Sequence, residues 1–342
     1  MTQRRILCFG ELLLRLGAPG RERLLQSPRF DVHVGGAEAN VAVSLARLGH
    51  AAALAGTVSD DALGDAALGE LRRHGVDTGA VRRAAGRMGL YFLSTGAGLR
   101  PSEVLYDRAG SAFATAPATG HDWPALLEGV DCLHLSGVTP ALGQPAAEAA
   151  IAAARAGRAA GALVSFDGNF RPRLWAAWDG DPAAILQQLL AEADLAFADH
   201  RDIGVVLGEN PAAAADDHET RIVAAAARAF AAFPRLQRIA TTLRVQHSVD
   251  RHSLGALMVA RGGGVERAPA RQLEGIVDRI GAGDAFAAGV LHGLLTGMDD
   301  RGALRFGLAA ACLKHAQPGD AHLASADEIA ACAREERLDV RR

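Results

Sequence analysis

The 342 residues carry 36 Lys plus Arg against 39 Asp plus Glu, a formal net charge of −3. Nothing in that balance supplies the basic field that grips a nucleic-acid backbone or an anionic membrane, so small molecules are the expected partners. Hydrophobic residues make up 49% of the chain but aromatics only 5%, a core of Ala, Leu and Val that suits buried helices better than a β-sandwich. Every Lys or Arg position except Lys314 is arginine, which excludes a Walker-type phosphate loop and leaves a lysine Schiff base with a single candidate.

From the N-terminus, Ile6 to Gly10 is an apolar run too short for a signal-peptide core and reads as a first strand. Glu11 to Leu16 and Phe30 to Val34 read as a hairpin around the turn signal Ala18-Pro19-Gly20. Gly35-Gly36 opens a helix with Val41, Leu45 and Leu48 on one face, stopped by Gly49. Ala51 to Val58 is a strand and Leu63 to His74 a helix. Met88 to Ser94 and Glu103 to Arg108 form a second hairpin-like pair, and the two pairs can join into one small sheet.

Beyond Asp131, strands at Cys132 to Leu135, Leu163 to Phe166 and Leu195 to Phe197 alternate with helices at Pro145 to Ala160 and Pro182 to Ala193. That rhythm predicts an α/β fold with a mostly parallel sheet covered by helices. A helix over Arg221 to Phe233, strands over Arg238 to Thr242 and Gly255 to Val259, and helices near Asp284 to Leu295, Arg301 to His315 and from Asp327 complete it, the last with a Ser325/Glu328 capping box. Four scattered cysteines show no disulfide or zinc spacing, and no run approaches the roughly 20 apolar residues of a membrane span. A reducing cytoplasm is therefore expected.

Three segments carry chemistry. In Asp278-Arg279-Ile280-Gly281-Ala282-Gly283-Asp284, two glycines before a helix free amides to converge on an anion. Asp284, in the first turn, is placed to take the proton of an attacking hydroxyl; the bland reading is a tight turn with a helix-favouring acid. Val34-Gly35-Gly36-Ala37-Glu38-Ala39-Asn40 lets backbone approach a ligand, with Asn40 able to donate to and accept from hydroxyls. It is equally an ordinary strand-to-helix turn. In the third, Asp167-Gly168-Asn169-Phe170-Arg171, strand alternation places Asp167, Asn169 and Arg171 on one side, beyond the end of a parallel strand where ligands bind. Arg171 and Arg108 offer forked donors to a carboxylate, although most arginines end as surface ion-pair partners. Cys132 and His134 share a strand face without completing a metal cage, no fixed protein metal site is expected, and no Gly-x-Ser-x-Gly elbow is present. A dinucleotide fingerprint fails because Phe286 stands where a third small residue is needed.

Together the segments resemble the ribokinase-like (PfkB) carbohydrate kinase family from Ile6 to about Ile329. The Gly281-Ala282-Gly283-Asp284 run is similar to its C-terminal signature, and Gly35-Gly36-Ala37-x-x-Asn40-Val41-Ala42 to its N-terminal one. Within the family, the detail at Gly89-Leu90-Tyr91-Phe92, Tyr106-Asp107-Arg108-Ala109-Gly110-Ser111 and Asn169-Phe170-Arg171-x-x-Leu174-Trp175 is most similar to 2-keto-3-deoxygluconate kinases.

The resemblance implies one ribokinase-like three-layer domain over residues 1–342, with lid strands from about 11–34 and 88–110 that in relatives support a homo-oligomer. It implies ATP and magnesium as cofactors, with Asp284 and the Gly281, Ala282 and Gly283 cradle catalytic. Gly35, Gly36, Asn40, Tyr91, Tyr106, Arg108, Asp167, Asn169 and Arg171 are then expected at a sugar acid, and Asp199, Asp202, Thr242, Arg244, Asp278, Arg279 and Lys314 at the nucleotide. The family's usual Asp near Glu11 is absent, and its Gly-x-x-Gly nucleotide loop is replaced by Thr241-Thr242-Leu243-Arg244 and a Ser- and His-rich insertion. Asp199 and Asp202 replace an Asn-x-x-Glu pair, and Arg279 stands where Thr is frequent. The competing readings are a neutral-sugar kinase, a noncatalytic sugar or nucleotide sensor and, remotely, a dehydrogenase.

Overall fold

The alternation of strands and helices is present in the computed structural model, which describes residues 3–209 and 217–334. In chain order the strands are β1 (Arg5–Phe9), β2 (Leu13–Gly17), β3 (Asp31–Gly35), β4 (Ala51–Ser59), β5 (Val81–Ala84), β6 (Gly89–Ser94), β7 (Glu103–Asp107), β8 (Cys132–Ser136), β9 (Leu163–Asp167), β10 (Leu195–Phe197), β11 (Arg238–Gln246), β12 (Arg251–Ala260) and β13 (Val265–Glu274). The helices are α1 (Ala37–Arg47), α2 (Ala62–Arg73), α3 (Trp123–Leu127), α4 (Gln144–Ala159), α5 (Pro172–Trp175), α6 (Pro182–Glu192), α7 (His200–Val206), α8 (His218–Ala232), α9 (Ala282–Leu295), α10 (Asp300–Lys314) and α11 (Ala326–Ala333).

Among the described residues, nine strands form one sheet in the order β13-β12-β11-β10-β9-β8-β1-β4-β5. Pairing is parallel from β11 through to β5, and antiparallel where β12 and β13 are added. The middle strands are mostly apolar and mostly buried because both faces are covered. In β1, Leu7 and Phe9 pack into the layer that contains α3, α4, α6 and α8. Ile6 and Cys8 point the other way, into the layer that contains α1, α2, α9 and α10. Alanine and glycine keep the helices close: a Cβ on Gly157 of α4 would lie 2.6 Å from Leu133 Cδ2.

Four further strands form a separate small sheet, β3-β2-β6-β7. The two expected hairpins are its antiparallel pairs, joined by parallel pairing of β2 with β6. Its cross-strand register sets His33, Arg15, Tyr91 and Tyr106 in one row.

At the antiparallel edge of the large sheet, the strand expected to end at Thr242 continues as β11 to Gln246 and pairs with β12 along its length, so Leu243 and Arg244 lie inside it and not in a loop. The Ser- and His-rich insertion is the turn between them, where the amides of His247 and Ser248 both donate to Arg251 O at 3.0 Å. Finally, β5 and β13 have no counterpart among the expected elements. As an edge strand, β13 tolerates the polar sequence and Pro269 that hide it.

Helix α9 meets α10 through glycine, for a Cβ on Gly307 would fall 2.5 Å from Val290 Cγ2 and 2.9 Å from Phe286 O. Gly307→Ala is expected to destabilise the protein by about 2 kcal/mol, because neither backbone can move aside freely. Gly69→Ala, in the interior of α2 with nothing within 4 Å of the new methyl, is expected to stabilise by about 0.5 kcal/mol. Urea unfolding of both variants checks the signs, and a Gly307→Ala protein as stable as the wild type refutes the packing argument.

Candidate active site

The loop after β13 prepares the start of α9. Asp278 turns the chain by accepting from Ile280 N at 3.0 Å through Oδ1, and Gly281 caps the helix at φ 79°, a left-handed conformation that favours glycine. A Cβ there would lie 1.8 Å from Asp320 O. Ala285 is the first residue whose amide closes a helical turn, to Gly281 O at 2.9 Å, so the amides of Gly283 and Asp284 are free of it and the helix adds its positive end. Asp284 lies beside them, with Oδ2 accepting from Asn40 Nδ2 at 2.7 Å. Burial, with smaller pushes from the charges of Asp320 and Glu38, raises its carboxyl to about 7 against the downward pull of Asn40 and Arg171.

Two cavities meet at this point, beyond the carboxyl ends of the parallel strands. One, of about 360 Å³, is lined by Gly36, Asn40, Tyr91, Tyr106, Arg108, Arg171 and Asp284 among others. A larger one, of about 690 Å³, is lined by Asp199, Asp202, Thr242, Arg244, two further arginines, Arg201 and Arg221, and the histidines His200, His218 and His315. Asp167, Asn169, Arg279, Ala282 and Gly283 line both. Each volume lies in the range of small-molecule sites.

In the smaller cavity, Arg108 is buried and its Nε donates to Glu11 Oε2 at 2.6 Å, while Ser111 Oγ donates to Glu11 Oε1 at 2.5 Å. Glu11 therefore fixes the guanidinium, whose remaining nitrogens stay available to the cavity. Asp167, Asn169 and Arg171 do not alternate along one strand, because β9 ends at Asp167 and Asn169 is left-handed at φ 33°. A local turn, with Asn169 N donating to Asp167 Oδ1 at 3.1 Å, still delivers all three to the cavity. Gly35 is not a lining residue: a Cβ there would meet Asp320 Oδ2 at 2.2 Å, so its missing side chain accommodates protein.

In the larger cavity, Asp199 caps α7 and forms a reciprocal capping box with Asp202, so both acids first serve the helix. Asp199, His200 and His218 bring ligand atoms within 4.8 Å of one another, but Arg201 already occupies the Asp199 carboxylate at 2.8 Å. Burial and the Asp199 charge raise Asp202 to about 6. Asp167 is raised by burial and by the charges of Asp284 and Asp202. Carboxyls that repel one another beside basic side chains suit a divalent cation carried with a polyanion.

Two residues expected at the nucleotide are placed elsewhere. Asp278 spends its carboxylate on Ile280 N, on Gly319 N at 3.1 Å and on Arg15 Nη2 at 2.7 Å. Lys314 is enclosed, and its Nζ donates to Gln317 O at 2.9 Å. Sequence reasoning misses the group behind the cradle: Arg15, 2% exposed, pairs with Asp278 and reaches Asp320 Oδ1 at 3.1 Å, in ion-pair range without an aligned hydrogen bond. Tyr91 OH donates to Asp320 Oδ2 at 2.6 Å. The one available signal is a charged Arg15 inside an otherwise apolar strand, Leu13–Gly17.

Residues 3–327 match the family pattern described as pfkB family carbohydrate kinase. This chain belongs to that family. It is 32% identical over 334 residues to the 2-dehydro-3-deoxygalactonokinase of Haloferax volcanii, covering 95% of each chain. Among solved structures, the 2-dehydro-3-deoxygluconokinase of Thermotoga maritima superposes with a TM-score of 0.90 at 36% identity, covering 97% of this chain and 100% of that one. A fructokinase of Xylella fastidiosa solved with bound ATP superposes at 0.77 with 25% identity, covering 96% and 98%. The fold of the kinase is thus ribokinase-like, and among the described residues no helix is long and apolar enough to cross a membrane.

For a carbohydrate kinase that uses Asp284 as its base, only the ionised carboxylate accepts the hydroxyl proton. The acid limb of kcat/KM against pH is expected near 7, well above an ordinary aspartate. Asn40 donates to the charged form, so Asn40→Ala should move the limb to higher pH. A limb that stays put or moves down in that variant removes Asn40 and Asp284 from this assignment.

Proposed function

We propose that this kinase transfers the terminal phosphoryl group of MgATP to the 6-hydroxyl of 2-keto-3-deoxygluconate or a closely related sugar acid. The observation that carries this reading is the convergence of Arg108, Arg171, Asn40 and Asp284 on the smaller cavity, which adjoins the basic one at the glycine cradle. Two guanidiniums match a carboxylate, whereas a neutral sugar has no charge for them to meet. The likeness to kinases named for 2-dehydro-3-deoxy sugar acids supports the same choice.

Arg108, held by Glu11, and Arg171 orient the acid end of the acceptor, and Tyr91 and Tyr106 wall the cavity on the side of the small sheet. At the other end, the acceptor hydroxyl donates its proton to Asp284, whose second oxygen is occupied by Asn40. Amides of Gly283 and Asp284 then stabilise charge on the phosphoryl oxygens as they pass from one cavity to the other. Magnesium bound with ATP supplies positive charge to the phosphate oxygens, and Asp167 and Asp202 would hold it. Arg244 and Arg279 take the place of the missing phosphate-loop lysine. The small sheet acts as a lid that keeps water from competing for the phosphoryl group.

ADP release measured over 2-keto-3-deoxygluconate, its 4-epimer, fructose and ribose tests the acceptor. A sugar acid is expected to be preferred by on the order of a hundredfold in kcat/KM, and Arg171→Gln to raise its KM by roughly tenfold or more. Preference for fructose or ribose would overturn the carboxylate argument. Asp284→Asn should lower kcat by about a thousandfold with every acceptor, and full turnover in that variant would end the account of the base.

Arg279 lines both cavities, so its charge belongs to the group in transit. Arg279→Ala is expected to lower kcat on the order of a hundredfold while changing the acceptor KM far less. A kcat equal to that of the wild type removes the role.

A further inference from the structure

Lys314 is the single lysine of the chain, is 0% exposed, and has no part in the chemistry described above. It ends α10, where the helix dipole favours a cation. Its ammonium donates to Gln317 O at 2.9 Å and, at the limit of hydrogen bonding, to Asp278 O at 3.5 Å. Those carbonyls belong to two different loops. One, 278–281, leads into the cradle; the other, 315–320, lies directly behind it.

The loops are already stitched together. Val277 N donates to His315 O at 2.9 Å, Gly319 N to Asp278 Oδ2 at 3.1 Å, and Asp320 O stands where a Cβ of Gly281 would be. Lys314 and Arg15 supply two buried cations to face the half-buried Asp278 and the buried Asp320, so the cluster closes its charge. An apolar side chain of similar length would fill the same space but leave two carbonyls and one acid of the cluster without their partner, so the place requires the charge of the lysine and not its bulk. Burial pulls its pKa down, and the charge of Asp278 pulls it back up.

We propose that Lys314 is a positioning residue for phosphoryl transfer: its ammonium clamps the carbonyls of Asp278 and Gln317 and so fixes the loop that aims the Gly283 and Asp284 amides. The inference rests on the family's kinase activity and not on the choice of sugar acid. A fixed cation is suited to this place because backbone carbonyls from two loops converge there, and bringing them together without a donor would leave oxygen facing oxygen.

The test compares Lys314→Ala with Lys314→Met, using whichever sugar the wild type phosphorylates, so that a wrong acceptor leaves the comparison intact. Both variants are expected to lose kcat on the order of ten- to a hundredfold, with a much smaller change in acceptor KM. Ammonium chloride should restore kcat in Lys314→Ala, where the truncated side chain leaves room for an ammonium ion, and not in Lys314→Met, where the space is filled. Choline chloride at equal ionic strength should restore neither. A second readout needs no turnover: the melting temperature of Lys314→Ala should rise in ammonium relative to choline, and that of the wild type should not. If Lys314→Ala does not fold, the kcat of Lys314→Met decides. The proposal is overturned if Lys314→Met retains wild-type kcat, or if folded Lys314→Ala responds to ammonium in neither kcat nor melting temperature.

Discussion

At the first turn of α9, a carbonyl oxygen occupies the position where any residue but glycine would place its Cβ: Asp320 O, 1.8 Å from that point at Gly281. This close approach lets the loop after α10 lie flush against the loop before α9. It also brings the Asp320 carboxylate within reach of Arg15 and Tyr91, both on the small sheet. The sheet that walls the smaller cavity and the free amides at the start of α9 are therefore built on one electrostatic cluster. Substituting that glycine would disturb the helix start, the sheet contact and the cluster together, since none of the three can shift without the others.

Charge in the site follows a consistent division. In the proposed reaction acids concentrate where a proton or a cation would be handled, at Asp284, Asp167 and Asp202, and all three are pushed upward mainly by burial. Arginines concentrate where the proposed anions would arrive: Arg108 and Arg171 on one cavity, Arg244 on the other, and Arg279 on both. An all-arginine solution has a physical consequence, because guanidinium stays charged under any condition in which the protein folds, whereas a buried ammonium can be neutralised. The one lysine is kept where backbone carbonyls, and not a phosphate, set its environment.

What the sequence discloses depends on whether a feature is periodic or local. The middle strands and the long helices are legible because burial on both faces or on one stripe writes itself into the residue pattern, as in Cys132–Ser136 or Gln144–Ala159. The cradle is legible because Gly281, Gly283 and Asp284 are adjacent in the chain. By contrast, β13 is nearly invisible, since an edge strand needs no apolar alternation. Asp320 is invisible for a different reason: its partners Arg15 and Tyr91 lie more than 200 residues away, and nothing in its neighbourhood marks it as buried. The delivery of Asn169 and Arg171 to the cavity was foreseeable, but not the means, because a left-handed Asn ends the strand that alternation would have continued.

The proposed base, Asp284, shows how the fold adjusts chemistry with few parts. An aspartate with an ordinary pKa is always ionised at neutral pH but is a weak acceptor for a hydroxyl proton, while one buried without a partner would hold its own proton and accept nothing. Burial alone drives Asp284 toward the second failure. Asn40, fixed in the first turns of α1 with its own amide donating to Gly36 O at 2.7 Å, supplies a donor to the charged form and pulls in the opposite direction. The balance sits near 7, where the carboxylate is both basic enough to help and populated enough to act. Since Asn40 and Asp284 come from opposite ends of the chain, that balance is set by the packing of α1 against α9 and not by either segment alone.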